Sequence, residues 1–230
     1  MAHNKNGNAY GLTVFVPIKH GYENNTSFDK LVLDKLQKLP LNEKSPMAKV
    51  PNTYIARFYL LNDVIYEGGP ALEVHLKNKY LVFSSNFHGD LDDYLTGLWE
   101  HAGEELRDLL QYFVGFEKVT SVASFIDYIK RCQVDNNLFF VGSNDKPLAE
   151  QLKALYLKQA FSHFAYLSQQ FQYEGVLGER RLQEAFRRFV ELARPDDLTQ
   201  PTWPVAATEV PAWIESDIVA LIEATKEAIQ

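Results

Sequence analysis

Hydrophobic positions fall into short β-rich runs in the first two thirds of the chain and recur with helical spacing elsewhere. Four runs are rich in β-branched and aromatic residues and are bounded by proline, glycine or polar residues, which is typical of strands. These runs cover residues 10–18, 54–61, 80–85 and 137–141. The second and third are expected to pair as antiparallel neighbours.

Apolar residues at i, i+3, i+4 and i+7 predict six helices. The first begins after several capping residues at 24–27 and ends before Pro40. The second opens at Gly89-Asp90 and carries a nearly unbroken apolar stripe. Together the helices cover residues 28–39, 90–113, 122–129, 147–171, 179–194 and 212–229. The proline-rich segment around Trp203, between the last two helices, predicts an ordered crossing without helix.

The order of these elements predicts an α+β fold, a ferredoxin-like βαββαβ antiparallel sheet with an α-helical C-terminal extension. Residues 1–9 are polar and expected to be disordered, 10–145 form the ferredoxin-like domain, and 146–230 form a helical extension packed on the core. Helices cover one face of such a sheet. We expect a second subunit, in a homodimer, to cover the other face, and the alternative cover is the chain's own C-terminal helices.

Composition narrows the class of protein. The chain has 230 residues with 46% hydrophobic content, enough to bury a sizeable core. Its formal net charge of -7 argues against binding to nucleic acid or to an anionic membrane surface. No apolar run is long enough for a membrane span, one cysteine excludes an internal disulfide, and no signal peptide is evident. A cytoplasmic location is therefore expected.

Two segments carry a resemblance to a known group of proteins. Residues 54–61 read Tyr-Ile-Ala-Arg-Phe-Tyr-Leu-Leu, and residues 80–95 contain the turn Ser-Ser-Asn-Phe-His-Gly-Asp at 84–90. With the βαββαβ order, residues 10–142 resemble the ferredoxin-like dimeric α/β-barrel superfamily. Within it, they resemble a little-characterised bacterial group associated with haem peroxidase-like and catalase-like enzymes.

The resemblance implies paired sheet faces across a dimer and a haem or small organic ligand bound between sheet and helices. The Gly-x-x-Asp-Gly element of dye-decolourising peroxidases is absent from the chain, so their catalytic residues cannot be carried over. The related group usually has an acidic residue where this chain has His88. The catalytic residues therefore stay unassigned, and so does the question of whether the protein is an enzyme.

Arg57 raises the clearest chemical question, because it lies in the middle of a predicted strand. A charge among apolar neighbours needs a partner. A simple hairpin register places Arg57 near Ser85 or Asn86, where its guanidinium could hold a ligand carboxylate such as a haem propionate. The favoured alternative is an internal ion pair with a carboxylate of the turn and helix start at 90–93, which would be structural.

The turn at 84–90 has two interpretations as well. Its Ser85, Asn86 and His88 side chains, with the amides of a helix N-terminus, could present hydrogen-bond donors to a ligand. Three aspartates at 90, 92 and 93 already occupy that end of the helix, and they favour a capping role.

The histidines predict no metal site, since no two of the six have metal-site spacing. His163 lies on the predicted apolar stripe of a long helix with Leu152, Ala160 and Leu167, where a neutral imidazole could ligate haem iron. A hydrogen-bonded core histidine is the more common reason for such a placement.

Two functions from different classes follow. The first is a protein that binds a small planar or hydrophobic ligand such as haem, with Arg57, Ser85, Asn86, His88 and His163 as its ligand-binding residues. The second is a non-catalytic dimerisation or protein-interaction module. No catalytic constellation is recognisable in the sequence, which favours the second, whereas the resemblance favours the first.

Overall fold

The computed structural model describes residues 4–64, 69, 75–194 and 202–229. The chain forms two compact units, Met1–Leu148 and Ala149–Gln230, called here the N-terminal and C-terminal units. In the described part of the chain, no helix has the length and apolar character that crossing a membrane requires.

The N-terminal unit is built on a four-stranded antiparallel sheet. Its strands lie in the order β1-β2-β6-β5, and β3 and β4 form a separate hairpin. The strands are β1 (Lys5–Asn6), β2 (Ala9–Pro17), β3 (Tyr22–Glu23), β4 (Thr26–Ser27), β5 (Thr53–Leu61) and β6 (Tyr80–His88). The antiparallel pairing of the second and third predicted strands, β5 and β6, is confirmed.

Four helices of this unit cover one face of the sheet. They are α1 (Phe28–Gln37), α2 (Leu91–His101), α3 (Gly103–Leu110) and α4 (Val122–Cys132). Alternate residues of β2 and β6 point toward these helices, because successive side chains of a strand point to opposite faces. The shared core includes Tyr10, Leu12, Val14, Val16, Leu81, Phe83, Phe87, Leu95, Leu98, Phe125 and Ile129. The α+β class is confirmed.

The long helix expected over residues 90–113 is two helices. The break lies at Ala102, whose φ of -119° and ψ of 18° are not helical, and Gly103 begins α3. Glycine is a poor helix former, so interrupting the helix at this point costs little free energy. The apolar stripe continues through the break, which is why the pattern alone predicted one helix.

The fourth strand predicted over residues 137–141 does not form, so the ferredoxin-like strand order is not confirmed. Other segments occupy the edge of β2 that this strand would need. The Gly11 amide donates to the Asn4 carbonyl, and the Val134 amide donates to the Thr13 carbonyl. The Asn136 side-chain amide donates a hydrogen bond to the Gly11 carbonyl at 3.1 Å. Residues 137–141 therefore do not pair with β2, and Leu138 is exposed.

The described part of the N-terminal segment begins at Asn4 and includes the short strand β1. Lys5 pairs with Tyr10 across a tight turn, in which Gly7 has a φ of 62° that favours glycine. Asn4 is buried and donates to the Asp135 carboxylate. The disorder expected for residues 1–9 stays a prediction, and residues 1–3 lie outside the described part.

The C-terminal unit is helical. Its elements are α5 (Leu148–Ser168), a 3-10 turn (Gln169–Tyr173), α6 (Val176–Leu192) and α7 (Ala212–Ala228). They enclose a second core that includes Tyr156, Ala160, Phe164, Phe171, Ala185, Phe189, Ile214, Ile218 and Ile222. Most of the crossing predicted between the last two helices falls at 195–201, outside the described residues.

Candidate ligand-binding face

The face of the sheet that points away from α1 to α4 carries exposed apolar side chains around one arginine. On β5, Ala56, Phe58 and Leu60 pack toward the helices. Ile55, Arg57 and Tyr59 therefore point to the opposite side, called here the open face. Ile55 is 55% exposed and Tyr59 is 51% exposed, although both are large hydrophobic residues.

The strand register places the neighbours of Arg57. Across β6, Arg57 is opposite Ser84, and Ser84 is in turn opposite Thr13 of β2. The next row of the same face holds Tyr59, Val82 and Phe15. The guanidinium is thus bordered by hydroxyl-bearing residues along its own row and by aromatic rings one row away.

Arg57 has no carboxylate partner among the residues that the structure describes, where it makes no ion pair or hydrogen bond. The internal ion pair favoured from the sequence is therefore wrong. Two of the aspartates proposed for it are paired elsewhere, Asp90 with Lys5 and Asp92 with Lys130. The physical reason is the side of the sheet: α2 packs on the helix-covered face, whereas Arg57 points away from it.

The Ser85 side chain is not beside Arg57, because it lies on the helix-covered face of the sheet. It is 1% exposed, and its hydroxyl donates to the Ile55 carbonyl at 3.2 Å. The same oxygen lies 2.7 Å from the Tyr94 phenol. Burial raises the pKa of Tyr94, so its phenol stays protonated as a donor. We therefore assign Ser85 to the core.

Asn86 and His88 lie further along β6. Asn86 is opposite Ile55 and shares the open face with Arg57. His88 ends the strand and lines a small cavity of about 180 Å³, together with Gly89 and the first turn of α2. Asn86 is thus the residue of the predicted turn that the structure places one row from Arg57, while His88 lines the small cavity at the strand end.

His163 lies in the C-terminal unit and is only half-buried. Its Nε2 atom is 3.1 Å from the side-chain nitrogen of Gln159, one helical turn earlier. The buried positions of α5 include Tyr156, Ala160 and Phe164, so Ala160 of the predicted stripe is buried whereas His163 is not. The imidazole therefore lies beside the core, and its Nε2 atom is already hydrogen-bonded to the Gln159 amide.

A planar cofactor between sheet and helices does not fit the packing observed there. The rings of Phe87 and Tyr94 are stacked with centroids 3.7 Å apart, and Tyr10 stacks on the other side of Phe87 at 5.2 Å. A haem in this layer would have to displace all three rings, since protein interiors are close-packed. No cluster of three or more potential metal ligands occurs within the described part of the chain.

Sequence reasoning missed the residues that surround Arg57 on the open face. Strand alternation carried the signal for Ile55 and Tyr59, which are two positions before and after Arg57. Ser84 and Phe15 could be identified only from the register between β2, β6 and β5.

No protein-family profile, curated protein or solved structure matches this chain. The resemblance to the dimeric α/β barrels thus stays a prediction based on residues 54–61 and 80–95. What the open face can do chemically follows from its own side chains. It offers a permanent cation with five donor N–H groups, hydroxyl groups in the same row, an amide group one row away, and apolar side chains on both sides.

Proposed function

We propose that the N-terminal unit binds an apolar or planar molecule that carries a carboxylate, on the open face of its sheet. The observation that carries this proposal is Arg57, a guanidinium without a partner among the described residues, between exposed Ile55 and Tyr59. Guanidinium groups bind carboxylates through two parallel hydrogen bonds. The flanking side chains supply apolar contact for the body of the ligand.

Haem belongs to this class of ligand through its two propionates, and smaller aromatic carboxylates share the same chemistry. Asn86 and Ser84, in adjacent rows of β6, supply further polar contacts beside the guanidinium. His163 takes no part in this proposal. We assign no reaction to the protein, and binding is the activity to be tested.

A matched pair of probes tests the proposal. Binding of 1-naphthaleneacetate and of its methyl ester would be measured by calorimetry, and haemin binding by the visible spectrum. We expect the carboxylate to bind at least about tenfold more tightly than the ester, because one ionic hydrogen-bonded contact is lost. Arg57→Leu should abolish this preference.

Arg131→Leu serves as the control variant. Arg131 is an exposed arginine on α4 whose Nε donates to the carbonyl of Asp127. Its replacement removes the same charge from the same unit without touching the open face. Equal losses of affinity in both variants would show that net charge, rather than Arg57, determines binding.

A second candidate is self-association of the chain as a homodimer, with the ferredoxin-like sheet pairing that the resemblance implies. The observation that favours it is β5, an edge strand of nine residues whose exposed side chains include Ile55 and Tyr59. Exposed apolar side chains grouped on one face mark surfaces that pack against another chain. Sedimentation equilibrium would test it, and Tyr59→Lys should convert a dimer to a monomer. A monomer mass for the unmodified protein at micromolar concentration would exclude it.

A further inference from the structure

A cavity of about 510 Å³ opens in the N-terminal unit between α1, α3 and the β3–β4 hairpin. Its volume is in the usual range for small-molecule sites. The hairpin turns through Asn24 and Asn25, whose φ angles of 49° and 61° match a two-residue hairpin turn. This turn holds Glu23 at the edge of the cavity. Since α1 and α3 cover the opposite side of the sheet, the cavity is separate from the open face.

The lining of the cavity has more negative than positive groups. The carboxylates are Glu23, Asp34, Glu105 and Asp108, and the ammonium groups are Lys35 and Lys38. The Lys35 ammonium donates to both oxygens of Asp108, at 2.8 and 2.7 Å. Lys38 pairs with Asp34, and Lys49 pairs with Glu105 at 3.5 Å.

Glu23 is the lining carboxylate that has no cation within 4 Å in the described part of the chain. It accepts one hydrogen bond, from the buried Tyr112 phenol at 3.0 Å. Burial, together with this hydrogen bond, raises the pKa of Tyr112. The phenol therefore remains a donor, and the exposed Glu23 carboxylate keeps free lone pairs for another donor.

Apolar surface lies next to this carboxylate. Leu31, Leu39 and Leu109 line the cavity together with the ring of Tyr112. We propose that the cavity binds an apolar primary amine, with its ammonium group on Glu23 and its hydrocarbon body against these leucines. An ammonium has three donors and forms short, strong hydrogen bonds with a carboxylate. It would offset the excess of carboxylates over ammonium groups in the lining.

Three probes of equal length test the charge preference: hexylammonium, 1-hexanol and hexanoate. Each would be titrated into the full chain, with binding followed by backbone amide shifts in 15N-labelled protein. We expect hexylammonium to shift the amides of Leu31, Lys35 and Tyr112 and to bind at least about tenfold more tightly than hexanol. Hexanoate should bind more weakly still. Raising the salt concentration should weaken amine binding, since Glu23 is exposed.

The variant Glu23→Gln keeps the shape of the side chain and removes its charge. It should reduce amine affinity by at least about tenfold and leave hexanol binding unchanged. The matched control is Glu43→Gln, an exposed glutamate that does not line the cavity. Hexanoate binding as tightly as the amine, or equal amine affinity in Glu23→Gln and the unmodified protein, would overturn the proposal. Amide shifts confined to other parts of the chain would also overturn it.

Discussion

The Ser85 hydroxyl and the Tyr94 phenol lie 2.7 Å apart in the core between β6 and α2. Ser85 uses its own proton on the Ile55 carbonyl, so it accepts the proton of Tyr94. This chain of two hydrogen bonds ties the start of α2 to β6 and to β5, the strand that carries Arg57. It also fixes the face of β6, because Ser85 can only make these bonds from the helix side.

Tyr94→Phe should destabilise the N-terminal unit by about 1 kcal/mol, the usual net contribution of a hydrogen bond between neutral groups. The ring would still stack on Phe87, so packing should be retained. Urea unfolding followed by circular dichroism would measure the change. An unchanged unfolding midpoint would show that the hydroxyl contributes nothing.

Tyr156→Phe should have the opposite effect. Tyr156 is 1% exposed, and among the described residues its hydroxyl has no hydrogen-bond partner. A buried hydroxyl without a partner carries a desolvation cost of about 1–3 kcal/mol. Its removal should leave the C-terminal unit equally stable or more stable. A clear loss of stability, comparable with that of Tyr94→Phe, would contradict the assignment.

The same hydroxyl predicts a pH dependence. Burial and the nearby Asp217 carboxylate raise the pKa of Tyr156 to about 12. In the unfolded chain the phenol ionises near pH 10. The folded protein therefore favours the neutral phenol over the phenolate. The contribution of this preference to the free energy of unfolding is present below about pH 10 and is lost as the pH rises toward 12. Unfolding of the Tyr156→Phe variant should depend less on pH in that range.

Asp63 predicts an effect at acidic pH. Its carboxylate accepts hydrogen bonds from the amides of Leu76 and Val64 and from His75, which lowers its pKa to about 2. An aspartate in an unfolded chain titrates near pH 4. The contribution of the Asp63 carboxylate to the free energy of unfolding is therefore present above about pH 4 and is lost between about pH 4 and 2. Carboxyl 13C chemical shifts should give a midpoint near 2, and a midpoint near 4 would mean that these bonds do not persist in solution.

The hydrogen bonds of the Asn4 side chain should stabilise the N-terminal segment. Its side chain donates to Asp135 and accepts from the amide of Asn136 at 2.7 Å. Asn4→Ala leaves that amide without its partner, at a cost of about 1–3 kcal/mol. Denaturant unfolding would measure the loss. Stability equal to that of the unmodified protein would indicate that the segment is not held in this way.

Local patterns predicted most of the elements in the N-terminal unit but not the register between them. Strand alternation put Arg57 on the face opposite Ala56 and Phe58, which pack against the core. The connection from 62 to 79 is too long for turn geometry to fix the pairing, so the partner of Arg57 was expected at Ser85 or Asn86 instead of Ser84. A slip of one residue moves a side chain to the other face of the sheet.

Long-range competition explains the missing fourth strand. The edge of β2 could pair with residues 137–141 or with other segments, and the sequence of each segment gives no ranking between them. Asn4 and Asn136 decide it through side-chain and backbone hydrogen bonds to Gly11. Glu23 and Tyr112 were missed for a related reason, because 89 positions separate them and no spacing motif joins them.

We propose that Arg57, which has no partner among the described residues, binds a carboxylate on the open face. The most direct measurement is the side-chain Nε–Hε signal of Arg57 in 15N-labelled protein, assigned with Arg57→Leu, during titration with 1-naphthaleneacetate. We expect this signal to shift progressively to saturation with the carboxylate and to stay unmoved with the methyl ester. A signal that does not move when the carboxylate is saturating would contradict the claim.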